Sequence, residues 1–68
     1  MKIQTHHLNY GRAFRSELCT LSGSVIVTGR DASSEHAALI CLRAEISRWA
    51  AEALDFVQKG IDATRLIG

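Results

Sequence analysis

The longest regular pattern in the chain is an Ala- and Leu-rich run with interspersed charges, from Ser33 to Lys59. This run contains no glycine or proline, and Gly60, a residue type that often ends a helix, follows it. The candidates for the N-terminal cap are Asp31, Ser33 and Ser34. These signals predict one long helix over about residues 34–59, followed by a short tail over residues 61–68 that docks on the core or on a partner.

At 100° per residue, the predicted helix carries two apolar zones with charges between them. The main stripe, which should cover a sheet, consists of Ala38, Leu39, Leu42, Ile46, Trp49, Ala50, Ala53, Phe56 and Val57. The second zone, here called the small-residue seam, consists of Ala37, Ile40, Ala44, Ser47 and Ala51. Small side chains let another helix approach closely, so the seam is a candidate interface for a second copy or a protein partner. The alternative is that alanine is exposed there only because it is the best helix former.

The residues before the helix predict three strands. Residues 24–29 are the clearest case, because they contain three consecutive β-branched apolar residues. Residues 12–20 fit both a helix and a strand, but Ser22-Gly23 suits a two-residue hairpin turn, and the following strand needs a partner. Residues 2–8 supply the third strand, before the turn residues Asn9, Tyr10 and Gly11.

A two-residue turn at Ser22-Gly23 also predicts the strand register. It places Leu18 opposite Val27 and Thr20 opposite Val25, with Cys19 on the other face of the sheet. The face expected to meet the helix carries Phe14, Leu18, Val25 and Val27. The fold class is therefore α+β: a single domain with a small antiparallel sheet of about three strands packed on one long C-terminal helix.

The length and net charge of the chain argue against some classes of protein function and favour others. A chain of 68 residues buries little surface and is marginally stable alone, which favours a homodimer or a protein partner. Eight basic and seven acidic residues leave a net charge of +1, too balanced for a polybasic nucleic-acid binder. No apolar run is long enough to span a membrane, and the polar first ten residues do not form a signal peptide. Cys19 and Cys41 are too few for a disulfide framework, so we expect a cytoplasmic protein with reduced thiols.

The chain contains few residues in arrangements that suit catalysis or metal binding. His6 and His7 are adjacent in a predicted strand, so they point to opposite faces and do not chelate one ion together. Cys19 and Cys41 occupy positions where cysteine usually packs as a small hydrophobe. The sequence contains no nucleophile-elbow, phosphate-loop or dinucleotide-binding motif. We therefore expect no catalytic residue, no metal and no cofactor.

Nucleic-acid binding is the alternative function. The segment from Tyr10 to Arg15 interleaves two aromatic and two basic residues, the combination used for base stacking and phosphate contact. Over about five residues it resembles a signature of RNA-recognition motifs, and the order of strands followed by a helix resembles double-stranded RNA-binding domains. The lysines that the second family carries at its final helix are replaced here by Ser33-Ser34-Glu35-His36. The residues that would form this surface are Tyr10, Arg12, Arg15 and Arg30.

The junction between the last strand and the helix carries a further resemblance. A strand, Gly29-Arg30, a short serine-containing turn and an Ala-rich helix with Trp49 resemble the layout of several small phage-encoded anti-CRISPR proteins and of compact HicB-type modules. The resemblance covers about half of the chain. It implies a stoichiometric inhibitor or an antitoxin-like module that acts by occupying a surface, for example an inhibitor that blocks a bacterial host complex. We accordingly expect non-enzymatic protein binding by a homodimer, with no membrane association.

Overall fold

The fold is described here from a computed structural model that covers the backbone of residues 1–67 and the side chains of residues 1–65. Strand β1 (Lys2–Leu8) is followed by a single 3-10 turn (Asn9–Gly11), by strands β2 (Ala13–Cys19) and β3 (Val25–Thr28), and by helix α1 (Glu35–Ile67). The strands form one antiparallel sheet in the order β1-β2-β3, with α1 against β2 and β3. The predicted α+β arrangement is thus confirmed.

The central strand β2 separates a helix-facing side of the sheet from an outer side. On the helix-facing side, the side chain of Ser16 is completely buried, and its Oγ lies 3.0 Å from Thr5 Oγ1 on β1. Phe14 and Leu18 are half-buried on the same side by strand alternation, and Val27 is buried opposite Leu18. The sheet therefore contributes both apolar contacts and one satisfied polar pair to the core.

The hairpin between β2 and β3 differs from the predicted two-residue turn. Thr20 N–H donates to Ser24 O at 2.9 Å, and Gly23 N–H donates to Thr20 O at 3.0 Å. Gly23 has a φ of +99°, so these bonds define a three-residue loop that ends in a left-handed glycine. Val25 consequently pairs with Cys19 rather than with Thr20. The predicted pairing of Thr20 with Val25 was wrong because the loop contains one residue more than expected.

A β-bulge in the same hairpin restores the expected register further along the strands. The register shifts between Leu18 and Cys19, after which Leu18 pairs with Val27 as predicted. The bulge leaves Ile26 as the extra residue of β3. Val25 lies between the bulge and the loop, and 51% of it is exposed. Its predicted position against the helix was therefore wrong.

Helix α1 begins where the sequence indicates but ends later. The Ala37 N–H donates to Ser34 Oγ at 3.1 Å, so Ser34 is the residue that caps the helix. The predicted end at Gly60 was wrong, because α1 continues to Ile67. A glycine inside a helix costs only about 1 kcal/mol relative to alanine, which the surrounding turns can offset. A hydrogen bond from Gln58 to Asp62 at 3.1 Å spans this glycine. Gly68 lies outside the described residues.

The buried core between sheet and helix is small and lies against the first half of α1. Its buried apolar residues are Val27, Ala38 and Leu42. Cys19 is also buried, but by strand alternation it lies on the outer side of the sheet, where its Sγ is 3.8 Å from Gln4 Oε1. A helix of 33 residues is about 50 Å long, whereas a seven-residue strand covers only about 23 Å. The sheet therefore cannot cover the whole main stripe. Within it Leu39, Trp49, Phe56 and Val57 are exposed, contrary to the prediction that all its members meet the sheet.

Candidate interaction surface on the helix

The most distinctive surface is the part of α1 that extends past the sheet. Ala53 is the last helix residue that is partly buried, and every described side chain after it, from Leu54 to Arg65, is exposed. We call residues 54–65 the overhang. Its large apolar residues have exposed fractions of 71% for Leu54, 79% for Phe56, 57% for Val57 and 46% for Ile61. Such values on neighbouring residues of one helix are unusual for an isolated soluble domain.

These apolar residues share one side of the helix. Leu54, Val57 and Ile61 follow the three-and-four spacing that aligns side chains on one helix face. Phe56 borders them, and the small residues Ala53 and Gly60 lie between. Together these six residues form a surface, here called the apolar front, that spans roughly 160° of the helix circumference at 100° per residue. No charged residue lies within it.

The polar side of the overhang forms interactions within its own helix. Lys59 Nζ lies 3.0 Å from Asp55 Oδ2, and Gln58 donates to Asp62. Pairs at this (i, i+4) spacing lie on one face of a helix and stabilise it modestly. The overhang thus has a polar side on which several groups pair within the helix and an apolar side whose large side chains are exposed.

The small-residue seam lies on a different side of α1 from the apolar front. Ala37 is half-buried at the first turn, whereas Ile40 is 57% exposed, and Ala44, Ser47 and Ala51 are exposed as well. The structure therefore keeps these residues in one line along the helix, facing away from the sheet. Ala44 also borders a shallow pocket whose other lining residues are Arg30, Cys41, Glu45 and Arg48.

The four residues suggested for a nucleic-acid face lie in the 3-10 turn, just after it, on β2 and after β3. Tyr10 is fully exposed in the 3-10 turn, with a left-handed φ of +56°, and Arg12 follows the turn. Arg15 lies on the outer side of β2 and pairs with Asp31, with Nε 2.6 Å from Oδ1 and Nη2 3.3 Å from Oδ2. Arg30 Nε lies 3.6 Å from Oε1 of Glu45, which is on the helix. Arg15 and Arg30 thus point to different sides of the sheet, and each has a carboxylate partner.

The Arg15–Asp31 pair alters the acid–base behaviour of both groups. The hydrogen bond from Arg15 and its positive charge lower the pKa of the Asp31 carboxyl below its ordinary value. The same hydrogen bond and the charge of Asp31 raise the pKa of Arg15. Both side chains are about half exposed, so solvent screens the interaction.

The two histidines point to opposite faces of β1, as the strand pattern predicts. His6 contacts Glu17 on the outer side, where Thr28 Oγ1 also donates to Glu17 at 3.4 Å. His7 Nε2 lies 3.0 Å from Glu35 Oε1 at the helix start. The imidazole ring of His7 also packs edge-on against the ring of Phe14, with 4.9 Å between the two ring centroids. Within the residues that the structure describes, no three His, Cys, Asp or Glu side chains are placed to hold a metal ion.

Comparisons with protein families, with curated proteins and with solved structures find no match to this chain. Over the described part of the chain, no helix combines the length and the apolar character needed to cross a membrane.

Sequence reasoning did not single out Leu54 or Ile61. The available signal was their seven-residue separation with Val57 between them, which marks one helix face. A helix that ends at Gly60 leaves Ile61 outside this pattern. The apolar front therefore depends on the continuation of α1 past Gly60.

Proposed function

We propose that this chain is a non-enzymatic protein-binding module and that it binds through the apolar front. The observation that carries the proposal is the exposure of Leu54, Phe56, Val57 and Ile61 together on the part of α1 that extends past the sheet. Apolar patches of this kind on soluble proteins mark interaction sites, and an amphipathic helix is a common way to present one.

The shape of the chain supports the same proposal. Its radius of gyration is 16.2 Å, and its principal extents are 57 × 23 × 15 Å. A compact domain of this length has a radius of gyration of about 11 Å. The difference arises from the overhang, which adds length without adding a core. A helix in that state gains most from a partner that covers its apolar side.

The distribution of reactive side chains favours binding over catalysis. Cys19 is fully buried next to Gln4, with Sγ 3.8 Å from Oε1, and Cys41 is half-buried on the helix. His6 and His7 each contact a glutamate, on opposite faces of the sheet. A cysteine nucleophile with an adjacent histidine base is therefore not assembled from these residues.

The narrower form of the proposal is an inhibitor that blocks a host complex, the function implied by the anti-CRISPR resemblance. Such an inhibitor also acts by covering a surface, so the apolar front would be its contact region. The nucleic-acid alternative has less support, because Arg15 and Arg30 are paired with carboxylates and lie on different sides of the sheet.

Site-specific photo-crosslinking in cells tests the proposal. The photoreactive residue p-benzoylphenylalanine replaces Phe56 in one variant and Leu21, in the β2–β3 loop, in the control. The two positions are almost equally exposed, at 79% and 78%. We expect irradiation to give a discrete protein adduct from position 56 and none from position 21. Absence of an adduct at position 56, or equal adducts at both positions, would refute the proposal.

A further inference from the structure

We infer that the apolar front is covered by a second copy of this chain, packed antiparallel so that two overhangs meet and the two sheets lie at opposite ends. This inference rests on the proposed function and names the partner. It differs from the interface expected at the small-residue seam, because the apolar front lies on another side of α1.

The first argument is the amount of surface that the single chain leaves open. Its accessible surface is 5287 Å². A globular monomer of 7.5 kDa has an accessible surface of about 4,200 Å². The excess of about 1,000 Å² is close to the roughly 800 Å² that each partner buries in a stable interface of ordinary size. One symmetric contact would therefore bring the surface per chain to the value expected for its mass.

The second argument is the composition of the apolar front, which suits a copy of itself. A two-fold axis beside Val57 places Leu54 within one residue, about 1.5 Å along the helix, of the level of Ile61 of the second copy. On the other edge it places Ala53 within one residue of the level of Gly60 of the second copy. Large residues then meet large residues along one edge, while small residues let the backbones approach along the other. Because the apolar front contains no charged residue, this contact buries no unpaired charge.

Gly60 gains an explanation from this arrangement. It is exposed inside a helix, and, apart from its chain neighbours and the nearby helix backbone, no atom of the described residues lies within 4 Å of the position that its Cβ would take. No contact within the described part of the chain therefore requires a glycine there, although glycine weakens a helix relative to alanine. Close approach of a second helix at this point supplies the missing reason.

The third argument concerns the relative direction of the two α1 helices in the dimer. At 100° per residue, the apolar front lies on the same side of α1 as Ala38 and Leu42, which pack against the sheet. A parallel dimer would bring both sheets into the same space between the helices. An antiparallel dimer separates the sheets and overlaps the helices from about Ala50 to Thr64, a length of about 21 Å. The antiparallel arrangement is therefore the one that the fold accommodates.

Sedimentation of two matched variants tests which helix face associates. Val57 and Ile40 are each 57% exposed, the first in the apolar front and the second in the small-residue seam. We expect the unmodified chain and Ile40→Glu to be dimers, and Val57→Glu to be a monomer with dimerisation weakened by about 100-fold or more. Circular dichroism verifies that both variants keep their helix. A dimer of Val57→Glu, or a monomer of Ile40→Glu alone, would overturn the inference.

Single cysteine additions test the orientation. In the antiparallel dimer Val57 lies near its own copy across the axis, so Val57→Cys should form an intermolecular disulfide under mild oxidation. Leu54→Cys should not, because the two copies of that position lie on opposite sides of the axis. The unmodified chain, with its two native cysteines, is the background control. Efficient crosslinking through Leu54→Cys would indicate a parallel dimer and contradict the arrangement.

The two proposals fail in different ways. A chain that stays monomeric at all concentrations, yet crosslinks from position 56 to a protein of another mass, refutes the second copy and leaves the protein-binding function standing. A chain that is monomeric and gives no adduct from position 56 refutes both.

Discussion

Gly29 lies directly against the backbone of Leu42: a Cβ built on Gly29 would be 2.9 Å from both Cα and N of Leu42. The residue that follows β3 thus touches the main chain of α1, at the helix residue with the largest fully buried side chain. Gly29 N–H also donates to Ser16 O at 2.9 Å, which ties this contact to the central strand. The distance between sheet and helix is therefore set by the absence of a side chain at one position.

Gly29→Ala should destabilise the chain by about 1–3 kcal/mol, because the added methyl group would meet backbone atoms that cannot rotate away. Urea denaturation measures the change in the free energy of unfolding. Ser33→Ala, in the exposed turn before the helix, is the control and should change it by less than about 0.5 kcal/mol. Equal stability of Gly29→Ala and the unmodified chain would mean that sheet and helix are further apart than described.

Leu42→Ala should cost about 2–5 kcal/mol of unfolding free energy, because it removes the largest side chain of a core with few members. For a domain this small, such a loss approaches the whole stability. Leu39→Ala changes the same residue type where 41% of the side chain is exposed, so its cost should be clearly smaller. Thermal unfolding followed by circular dichroism compares the two, and equal costs would contradict the assigned core.

Ser34→Ala should lower the free energy of unfolding by about 1 kcal/mol, because it removes the hydroxyl that accepts from the Ala37 N–H. Ser33→Ala again serves as the control, since the hydroxyl bond at the helix start comes from Ser34. Denaturant titration measures both variants. A larger effect at Ser33 than at Ser34 would place the cap one residue earlier.

Arg15→Gln should raise the pKa of Asp31 back towards its ordinary range, because the hydrogen bond and the charge that lower it are lost. The pair contributes stability at a pH above the unfolded pKa of the carboxyl, and this contribution disappears as the pH falls through the lowered folded pKa. Carbon-detected NMR titration of the Asp31 carboxyl measures the shift. Arg12→Gln is the control and should leave that pKa unchanged; an unchanged value in Arg15→Gln would contradict the pairing.

The hairpin shows how far local patterns specify the register. The pairing of Leu18 with Val27 could be predicted, because alternation of apolar residues along both strands favours it. The number of residues in the loop and the compensating bulge could not be predicted in this way. A left-handed Gly23 is compatible with either a two-residue or a three-residue loop. Packing of Val27 against the helix side decides between them, and that contact exists only in the assembled fold.

The candidate site likewise depends partly on a pattern in the sequence and partly on the assembled fold. The heptad spacing of Leu54, Val57 and Ile61 is present in the sequence, but its meaning depends on whether the helix passes Gly60 and on where the sheet ends. Neither depends on neighbouring residues alone. The dispersal of Arg15 and Arg30 likewise follows from their distant carboxylate partners, Asp31 and Glu45.

The sequence by itself determined that three strands precede one long helix, the approximate start of that helix, and the α+β class, because these depend on propensity, alternation and capping among near neighbours. Only the tertiary structure decided which apolar residues are covered. A short sheet can shield about half of a 33-residue helix, so identical periodicity produces a buried core at Ala38 and Leu42 and an open apolar surface from Leu54 onwards. The physical reason is that burial depends on where the sheet ends in space, which no local pattern encodes.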